Sequence, residues 1–246
     1  MVYGPPALVL YVLGIPDSWL AVGLYCAFVI QIGWWGRSIG GQAQPYGYYG
    51  LVCSGDSIWE FIKGLGLALL CFSLLMGTLV GMGGLRVQAV NWLEAIPNGL
   101  LTAIGVGFAE ELLFRGWLLR ELEQGYGKST ALGINSVIFA VLHFLKPLEV
   151  ILATWVQFPG LVLLGLILGR ACHLCQGRLG QAIGIHTGLV WGYFVVRTTN
   201  WLVPTGNLPE WLTGIGGNPL AGGMGLLYLG VMGLGLKLGL TDREGN

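Results

Sequence analysis

The chain has few charged residues. Asp, Glu, Lys and Arg make up 10% of its 246 residues, whereas they make up about 25% of an ordinary soluble domain. Hydrophobic residues account for 54% of the chain, and the mean hydropathy is +0.72. This composition excludes a typical soluble globular protein and predicts an integral membrane protein built as one helix bundle. The 12 basic and 12 acidic residues cancel, so the sequence offers no basic surface for nucleic acid.

Cysteine is scarce as well. The five cysteines are an odd number at irregular spacing, and they therefore imply no disulfide framework. The pair in Cys172-His173-Leu174-Cys175 has the spacing of a redox or metal motif, but without a second pair it is weak support for a site. The first residues lack a positively charged segment, so we expect no cleavable signal peptide.

Apolar runs of about 20 residues, the length that crosses a bilayer, recur along the chain. They predict an all-α, polytopic transmembrane helix bundle of about seven spans, with six to eight as the range. Residues 1–16 are interrupted by three prolines and are expected to be interfacial or to form a short helix. Pro159 is expected to bend the fifth span, because its ring removes a backbone donor. The predicted spans are residues 17–35, 57–83, 97–121, 129–145, 148–172, 179–197 and 220–239.

The spans divide the chain into three parts. Residues 1–94 hold the interfacial segment and two spans, and residues 95–200 hold the polar residues that carry the functional argument. Residues 201–246 hold a loop, the last span and a tail.

Basic residues are distributed unequally between the two ends of the predicted spans. Because cytoplasmic loops carry the excess of Lys and Arg, the bias of eight to three predicts an outside N-terminus and a cytoplasmic C-terminus. The cytoplasmic set is Arg37, Lys63, Arg120, Lys128, Arg170, Arg178, Lys237 and Arg243, and the opposite set is Arg86, Lys146 and Arg197.

The third predicted span contains two adjacent carboxylates and an arginine. An ionised residue at the centre of a membrane helix costs roughly 2.5–3.5 kcal/mol, so these groups must face protein or water, or pair with each other. Glu111 and Arg115 are four apart with the acid first, which favours a supporting ion pair. Glu110 lies about 100° round the helix and has no partner within the motif. It is therefore predicted to be the working carboxylate, although a purely structural Glu111–Arg115 pair remains the alternative.

Two histidines lie within predicted spans. Phe139 and His143 share one face of the fourth span, and Asn135 extends that face by a turn. His186 lies in the sixth span and points away from a ladder of glycines, which is expected to pack closely on a neighbouring helix. Either histidine alone also fits a hydrogen-bonded structural residue. Both together with Glu110 favour a centre in which a carboxylate base and imidazole donors act on a peptide carbonyl. The glycine ladder is Gly180, Gly184, Gly188 and Gly192.

These motifs resemble those of the CPBP intramembrane proteases. The likeness lies in Glu-Glu-x-x-x-Arg, then Phe-x-x-x-His, then a later histidine on another span. That family includes the type II CAAX prenyl endopeptidases and the bacterial Abi proteins. The resemblance covers roughly residues 95–200, which it implies to be the family's four-helix core.

The resemblance implies roles for individual residues. Glu110 would activate water, His143 and His186 would be the histidines of the second and third motifs, and Glu111 and Arg115 would support them. It implies no metal or other cofactor. The family's third motif often has Asn or Asp four residues after its histidine, as an oxyanion donor. In this chain that position is Val190, and Asn135 is the candidate to replace the missing donor.

Three functions are open at this point. The first is a CPBP-type, metal-independent intramembrane endopeptidase, in which Glu110-activated water attacks a peptide bond of a membrane-associated peptide or protein. The second is a catalytically weak or silent relative that acts as a scaffold or assembly factor of a larger membrane protein complex, which Val190 favours. The third is a metal or pigment site at Glu110, His143 and His186, since three protein ligands with an open position suit catalytic zinc.

Overall fold

The computed structural model describes residues 17–238. The interfacial segment predicted for residues 1–16, the last residue of the seventh predicted span and the C-terminal tail lie outside the described residues. Within the described part, the chain is mostly helical, as the predicted all-α class requires.

The first two long helices are α1 (Asp17–Ser38) and α3 (Gly55–Gly81), and a short helix, α2 (Pro45–Tyr48), lies between them. Ser54 caps α3, because its hydroxyl oxygen accepts a hydrogen bond from the backbone N–H of Ser57 at 3.2 Å. Such a cap satisfies one of the free donors at a helix start.

The third predicted span consists of three consecutive helical segments. It begins as α4 (Ala95–Glu111), continues as a π-helix (Leu112–Leu118) and ends as α5 (Leu119–Tyr126). The sequence predicts one continuous α-helix for this span, and the structure differs from it at Leu112–Leu118. Gly127, with φ of +74°, then reverses the chain into α6 (Lys128–Leu142).

The fifth predicted span is interrupted. Helix α7 (Leu148–Thr154) is followed by a 3₁₀ turn at Trp155–Gln157 and then by α8 (Phe158–Leu174). The break comes just before Pro159, which lies in the first turn of α8. Proline is tolerated there because the N–H it lacks has no helical partner in a first turn.

The sixth span is α9 (Gly180–Thr199), which ends where Asn200 adopts the left-handed conformation. Two short strands, β1 (Leu85–Val87) and β2 (Leu202–Pro204), pair antiparallel beyond the ends of α3 and α9. Both strands lie in segments predicted as loops. The chain continues through α10 (Glu210–Thr213), the 3₁₀ turns Ile215–Gly217 and Pro219–Ala221, and α11 (Gly223–Leu238).

Helices α3 and α9 pack closely along their length. An added Cβ at Gly188 would lie 2.6 Å from the Cβ of Ala68, and one at Gly192 would lie 2.7 Å from the Phe72 ring. Gly180 and Gly184 contact α3 in the same way. The structure therefore confirms that the glycine ladder is the packing face of this helix.

Two segments are long and apolar enough to cross a membrane, Gly55–Gly81 and Leu148–Leu174. Shorter apolar helices lie at Lys128–Leu142 and Gly223–Leu236. The count of seven spans stays a prediction.

Candidate active site

A buried ion pair lies at the junction of α4 and the π-helix. The Arg115 guanidinium donates to Oε1 of Glu111 at 2.9 Å, and both side chains are fully buried. The same carboxylate oxygen lies 2.7 Å from Nδ1 of His186 on α9. A second Arg115 nitrogen donates to the Gly165 carbonyl of α8 at 3.2 Å. Glu111 and Arg115 thus connect three helices.

Glu110 points to a different place. Its Oε2 lies 3.6 Å from Nε2 of His143 and 3.8 Å from Nε2 of His186. That oxygen is buried and has no hydrogen-bond partner among the described residues, although the side chain as a whole is 30% exposed. The three residues predicted to be catalytic therefore lie together, around one carboxylate oxygen.

Both imidazoles are held through their Nδ1 atoms. Nδ1 of His143 lies 2.7 Å from the Phe139 carbonyl oxygen, which can only accept, so this nitrogen carries a proton. Nδ1 of His186 faces the Glu111 carboxylate, which favours the same assignment. Each Nε2 is therefore turned toward Glu110. It is an acceptor when its ring is neutral and a donor when the ring holds two protons.

Phe139 and Asn135 support the centre from α6. The Arg115 guanidinium lies 4.4 Å from the centroid of the Phe139 ring, and the centroid of the His143 ring also lies 4.4 Å from it. The Asn135 amide nitrogen donates to the Phe114 carbonyl at 2.7 Å. Both side chains are fully buried. The amide of Asn135 is thus used to hold the π-helix.

One of three comparisons with known proteins found a match. Residues 92–207 match the family model described as type II CAAX prenyl endopeptidase Rce1-like. We name this segment, just under half of the chain, the Rce1-like domain because of this similarity. No curated protein and no solved structure matches the chain.

The Rce1-like domain contains all seven side chains predicted for the site. It begins just before α4 and extends past β2. The family match agrees with the resemblance seen in the sequence motifs. Type II CAAX prenyl endopeptidases are membrane-embedded proteases, and the apolar helices of this chain fit that description.

The π-helix is a feature of the Rce1-like domain that the sequence did not predict. Single π-turns are rare and occur often at functional sites. Here the Phe114 carbonyl is bonded by Asn135, and Gly116 packs so closely that an added Cβ would lie 2.8 Å from the Tyr49 carbonyl oxygen. Both contacts are made by residues distant in sequence, so no local pattern could reveal them.

A second set of polar contacts lies at the end of the Rce1-like domain that is predicted to be cytoplasmic. Arg178 forms a two-pronged salt bridge with Glu60, which raises the pKa of Arg178. The Tyr49 hydroxyl donates to Glu121 at 2.9 Å. Burial raises the pKa of Tyr49, and this hydrogen bond raises it further. These contacts connect the N-terminal third of the chain to the domain.

No group of three or more His, Cys, Asp or Glu side chains within residues 17–238 is arranged to hold a metal ion. Cys172 and Cys175 of the Cys-x-x-Cys motif are both buried near the end of α8.

Proposed function

We propose that the Rce1-like domain is an intramembrane endopeptidase in which Glu110 activates the water that attacks a peptide carbonyl. The observation that carries the proposal is the surroundings of Glu110 Oε2. This oxygen lacks a hydrogen bond within residues 17–238, yet it faces two imidazole nitrogens at 3.6 and 3.8 Å.

Those separations suit a bridging water. They exceed the 2.7–3.2 Å of a direct N–H···O bond, but one water can bond to the carboxylate and to an imidazole at once. A water that donates one proton to Glu110 and the other to a neutral Nε2 has a free lone pair for the carbonyl carbon. Catalytic bases commonly act at this range through one water.

The two histidines have different surroundings and are proposed to have different roles. His143 is 29% exposed, and it orients the water from the open side of the site. His186 is buried and bonded to Glu111, whose carboxylate stabilises positive charge on the ring, as the aspartate does in a serine protease triad. A doubly protonated His186 donates through Nε2 to the carbonyl oxygen as that oxygen becomes negative.

The proposed reaction is the hydrolysis of a peptide bond. The water oxygen bonds to the carbonyl carbon while Glu110 takes one water proton. The C–N bond then breaks, and the proton passes from Glu110 to the leaving amine. The products are a carboxylic acid and an amine, and no step requires a metal, so we propose a metal-independent enzyme. Activity is expected to persist in EDTA.

The substrate is proposed to be a membrane-associated peptide, because the centre lies within apolar helices. We further propose that the protein is multi-pass, with about seven spans, an outside N-terminus and a cytoplasmic C-terminus. The excess of Lys and Arg at one set of span ends supports this orientation.

The test compares Glu110→Gln with the wild type and with Glu149→Gln, a control at an exposed glutamate. The probe is a quenched fluorescent farnesylated peptide ending in a CAAX sequence, together with the same peptide lacking the farnesyl group. We expect Glu110→Gln to lose at least about 10²-fold in rate, which is the lower range for a catalytic base, while its thermal unfolding in detergent is unchanged. A folded Glu110→Gln variant that still cuts at the wild-type rate would contradict the proposal. So would a wild-type protein that cleaves neither peptide.

A scaffold or assembly factor is the second candidate, and Val190 favours it. This residue lies one turn after His186 on α9 and is half-buried, so an apolar side chain stands where an oxyanion donor is expected. Loss of one such donor typically lowers the rate by 10²–10³-fold. This candidate predicts that the protein co-purifies with a larger membrane complex and that Glu110→Gln leaves the complex intact. A complex lost in that variant would count against it.

A further inference from the structure

We infer that a cavity at the predicted outside end of the helix bundle binds a phosphate group, and that this phosphate belongs to a membrane lipid. The cavity is separate from the proposed active site. Arg197, which lines it, comes eleven residues after His186 on α9, or about 16 Å along the helix. The inference therefore does not depend on the proposed function.

The cavity lies where α3 and α9 end and the two strands pair. Its volume is about 110 Å³, and its apolar wall includes Met76 of α3, Val196 of α9 and Leu202 of β2. Gly214 and Gly217, in the loop after α10, also line it. An apolar cavity of about 150 Å³ can hold benzene, so this cavity suits a smaller group, the size of a phosphate.

Three of the side chains that line the cavity are hydrogen-bond donors. They are the Arg197 guanidinium, the Tyr193 hydroxyl and the Asn200 amide. None of the three side chains has a hydrogen bond or an ion pair with another residue in the described part of the chain. None of the described lining residues is acidic. A positive charge and free donors beside an apolar wall favour an anionic ligand.

The Arg197 guanidinium is placed against the wall of the cavity by a glycine. Its Nη1 lies 3.1 Å from the point that a Cβ of Gly217 would occupy, so a larger residue there would crowd it. Gly217 also has φ of +75°, a conformation that glycine adopts readily. The guanidinium is a planar group with five N–H donors, and it can bind two oxygens of one phosphate at once.

The tryptophans around the cavity indicate that the phosphate comes from a lipid. Trp201 directly precedes Leu202 of the cavity wall, and its ring lies edge to face with that of Trp92 at 4.9 Å. Trp211, two residues before Thr213 of the same wall, is exposed. Tryptophan is enriched at the level of the lipid headgroups, which is where lipid phosphates lie.

The experiment measures the thermal unfolding temperature of the full-length protein in a non-ionic detergent. Three probes are added in increasing amounts: dioctanoyl phosphatidylglycerol, dioctanoylglycerol, which has the same chains without the phosphate, and inorganic phosphate. A ligand that binds only the folded protein raises this temperature as its concentration exceeds Kd, so the titration gives an apparent affinity.

Arg197→Gln is compared with the wild type and with Arg86→Gln. Arg86 is an exposed arginine of β1 at the same end of the bundle. Its neighbour Leu85 lines the cavity, and successive strand residues point to opposite faces, so Arg86 points away from it. We expect phosphatidylglycerol to stabilise the wild type and Arg86→Gln equally. Its apparent affinity is expected to fall at least about tenfold in Arg197→Gln, as for the loss of a hydrogen bond to a charged group.

A second variant keeps the charge and changes the space. Val196→Phe fills part of the cavity and leaves Arg197 in place, so it is also expected to weaken binding of phosphatidylglycerol. An unchanged affinity in Val196→Phe would show that the lipid binds outside the cavity and would contradict the inference.

The three probes distinguish the possible ligands. Stabilisation by phosphatidylglycerol alone, lost in Arg197→Gln, supports a lipid phosphate. Equal stabilisation by inorganic phosphate supports the phosphate site but overturns the lipid as its source. Equal stabilisation by dioctanoylglycerol, no stabilisation by any probe, or an undiminished effect in Arg197→Gln overturns the inference. None of these measurements requires proteolysis, so they leave the proposed function to its own test.

Discussion

At the scale of single residues, two adjacent glutamates have opposite surroundings. Glu111 is fully buried between an arginine and a histidine, whereas Glu110 keeps a 30% exposed side chain and an unpartnered oxygen within the described chain. The difference arises because consecutive residues on a helix point about 100° apart. One carboxylate can therefore stabilise the structure while its neighbour faces substrate and water.

This division of roles predicts different costs of substitution. Glu111→Gln leaves the Arg115 charge buried without a counter-ion, and breaking a buried pair in this way typically costs about 3–5 kcal/mol. Glu110→Gln removes a partly solvated charge that makes no direct hydrogen bond through Oε2 and lies 3.6 and 3.8 Å from two imidazoles, so it is expected to cost far less. Thermal unfolding of both variants in the same detergent measures the difference.

The matched control removes both partners. Glu111→Gln combined with Arg115→Met is expected to recover part of the stability, because no buried charge is left uncompensated. Equal unfolding temperatures for Glu111→Gln and Glu110→Gln would show that the buried pair does not have this structural role.

At the scale of helices and strands, α3 and α9 are held together by close contact between their backbones. Gly184 of α9 lies directly against the backbone of α3 at Phe61 and Leu65. In lipid, helices gain little from burying apolar surface, so close van der Waals contact between small residues is a main source of association. The orientation of His186 toward α4 follows from this contact on the opposite face.

A single methyl group tests this interface. Gly184→Ala places a Cβ against the Phe61 carbonyl and is expected to destabilise the protein by about 1–3 kcal/mol, as overpacking does in cores. Gly77→Ala is the control, because an added Cβ at this exposed α3 position meets nothing within 4 Å. It is expected to leave stability unchanged or to raise it by up to about 1 kcal/mol. Two variants with equal unfolding temperatures would contradict the packing role of the ladder.

The long helices were predictable because their cause is local. Apolar runs, the serine cap of α3 and the glycine at 127 are all visible in the sequence, and the helices begin and end near the expected residues. The π-helix, the 3₁₀ turn at Trp155–Gln157 and the β1–β2 pair were not predictable. Each depends on partners distant in the chain, such as Asn135 for the Phe114 carbonyl and Thr205 for the Gly84 carbonyl.

The site itself could be anticipated in large part. The spacing of Glu111 and Arg115 predicted their ion pair, and the resemblance to the CPBP proteases predicted that His143 and His186 act together with Glu110. The sequence could not show that His186 also bonds to Glu111, because this contact spans two helices.

At the scale of the whole molecule, the chain is predicted to have one orientation in the membrane. The positive-inside rule places the turn between α5 and α6 in the cytoplasm and the turn between α6 and α7 outside. Gly125 and Leu145 lie in or beside these two turns, and both are exposed.

Cysteine labelling tests this orientation. In a variant with exposed Cys26 and Cys53 replaced by alanine, Leu145→Cys is expected to react with a membrane-impermeant maleimide in sealed spheroplasts of the expression host. Gly125→Cys is expected to react only after the membrane is opened. The three remaining native cysteines are buried and provide the unreactive background. The reverse pattern would invert the proposed topology.

The β1–β2 pair has a consequence for how a substrate reaches the centre. The pairing of β1 with β2 joins the chain just beyond α3 to the chain just beyond α9. The contacts of the α9 glycine ladder hold the same two helices together along their length. We therefore expect α3 and α9 to move together as one rigid unit, and His186 to move with α9. Between α1 and the π-helix lies a cavity of about 230 Å³, beside the contact of the Trp35 and Trp117 rings. No comparable series of close backbone contacts holds α1 among the described residues. Helix α1 is thus the element expected to move most easily relative to the rest. A substrate is expected to enter from the side, out of the bilayer, when this helix is displaced.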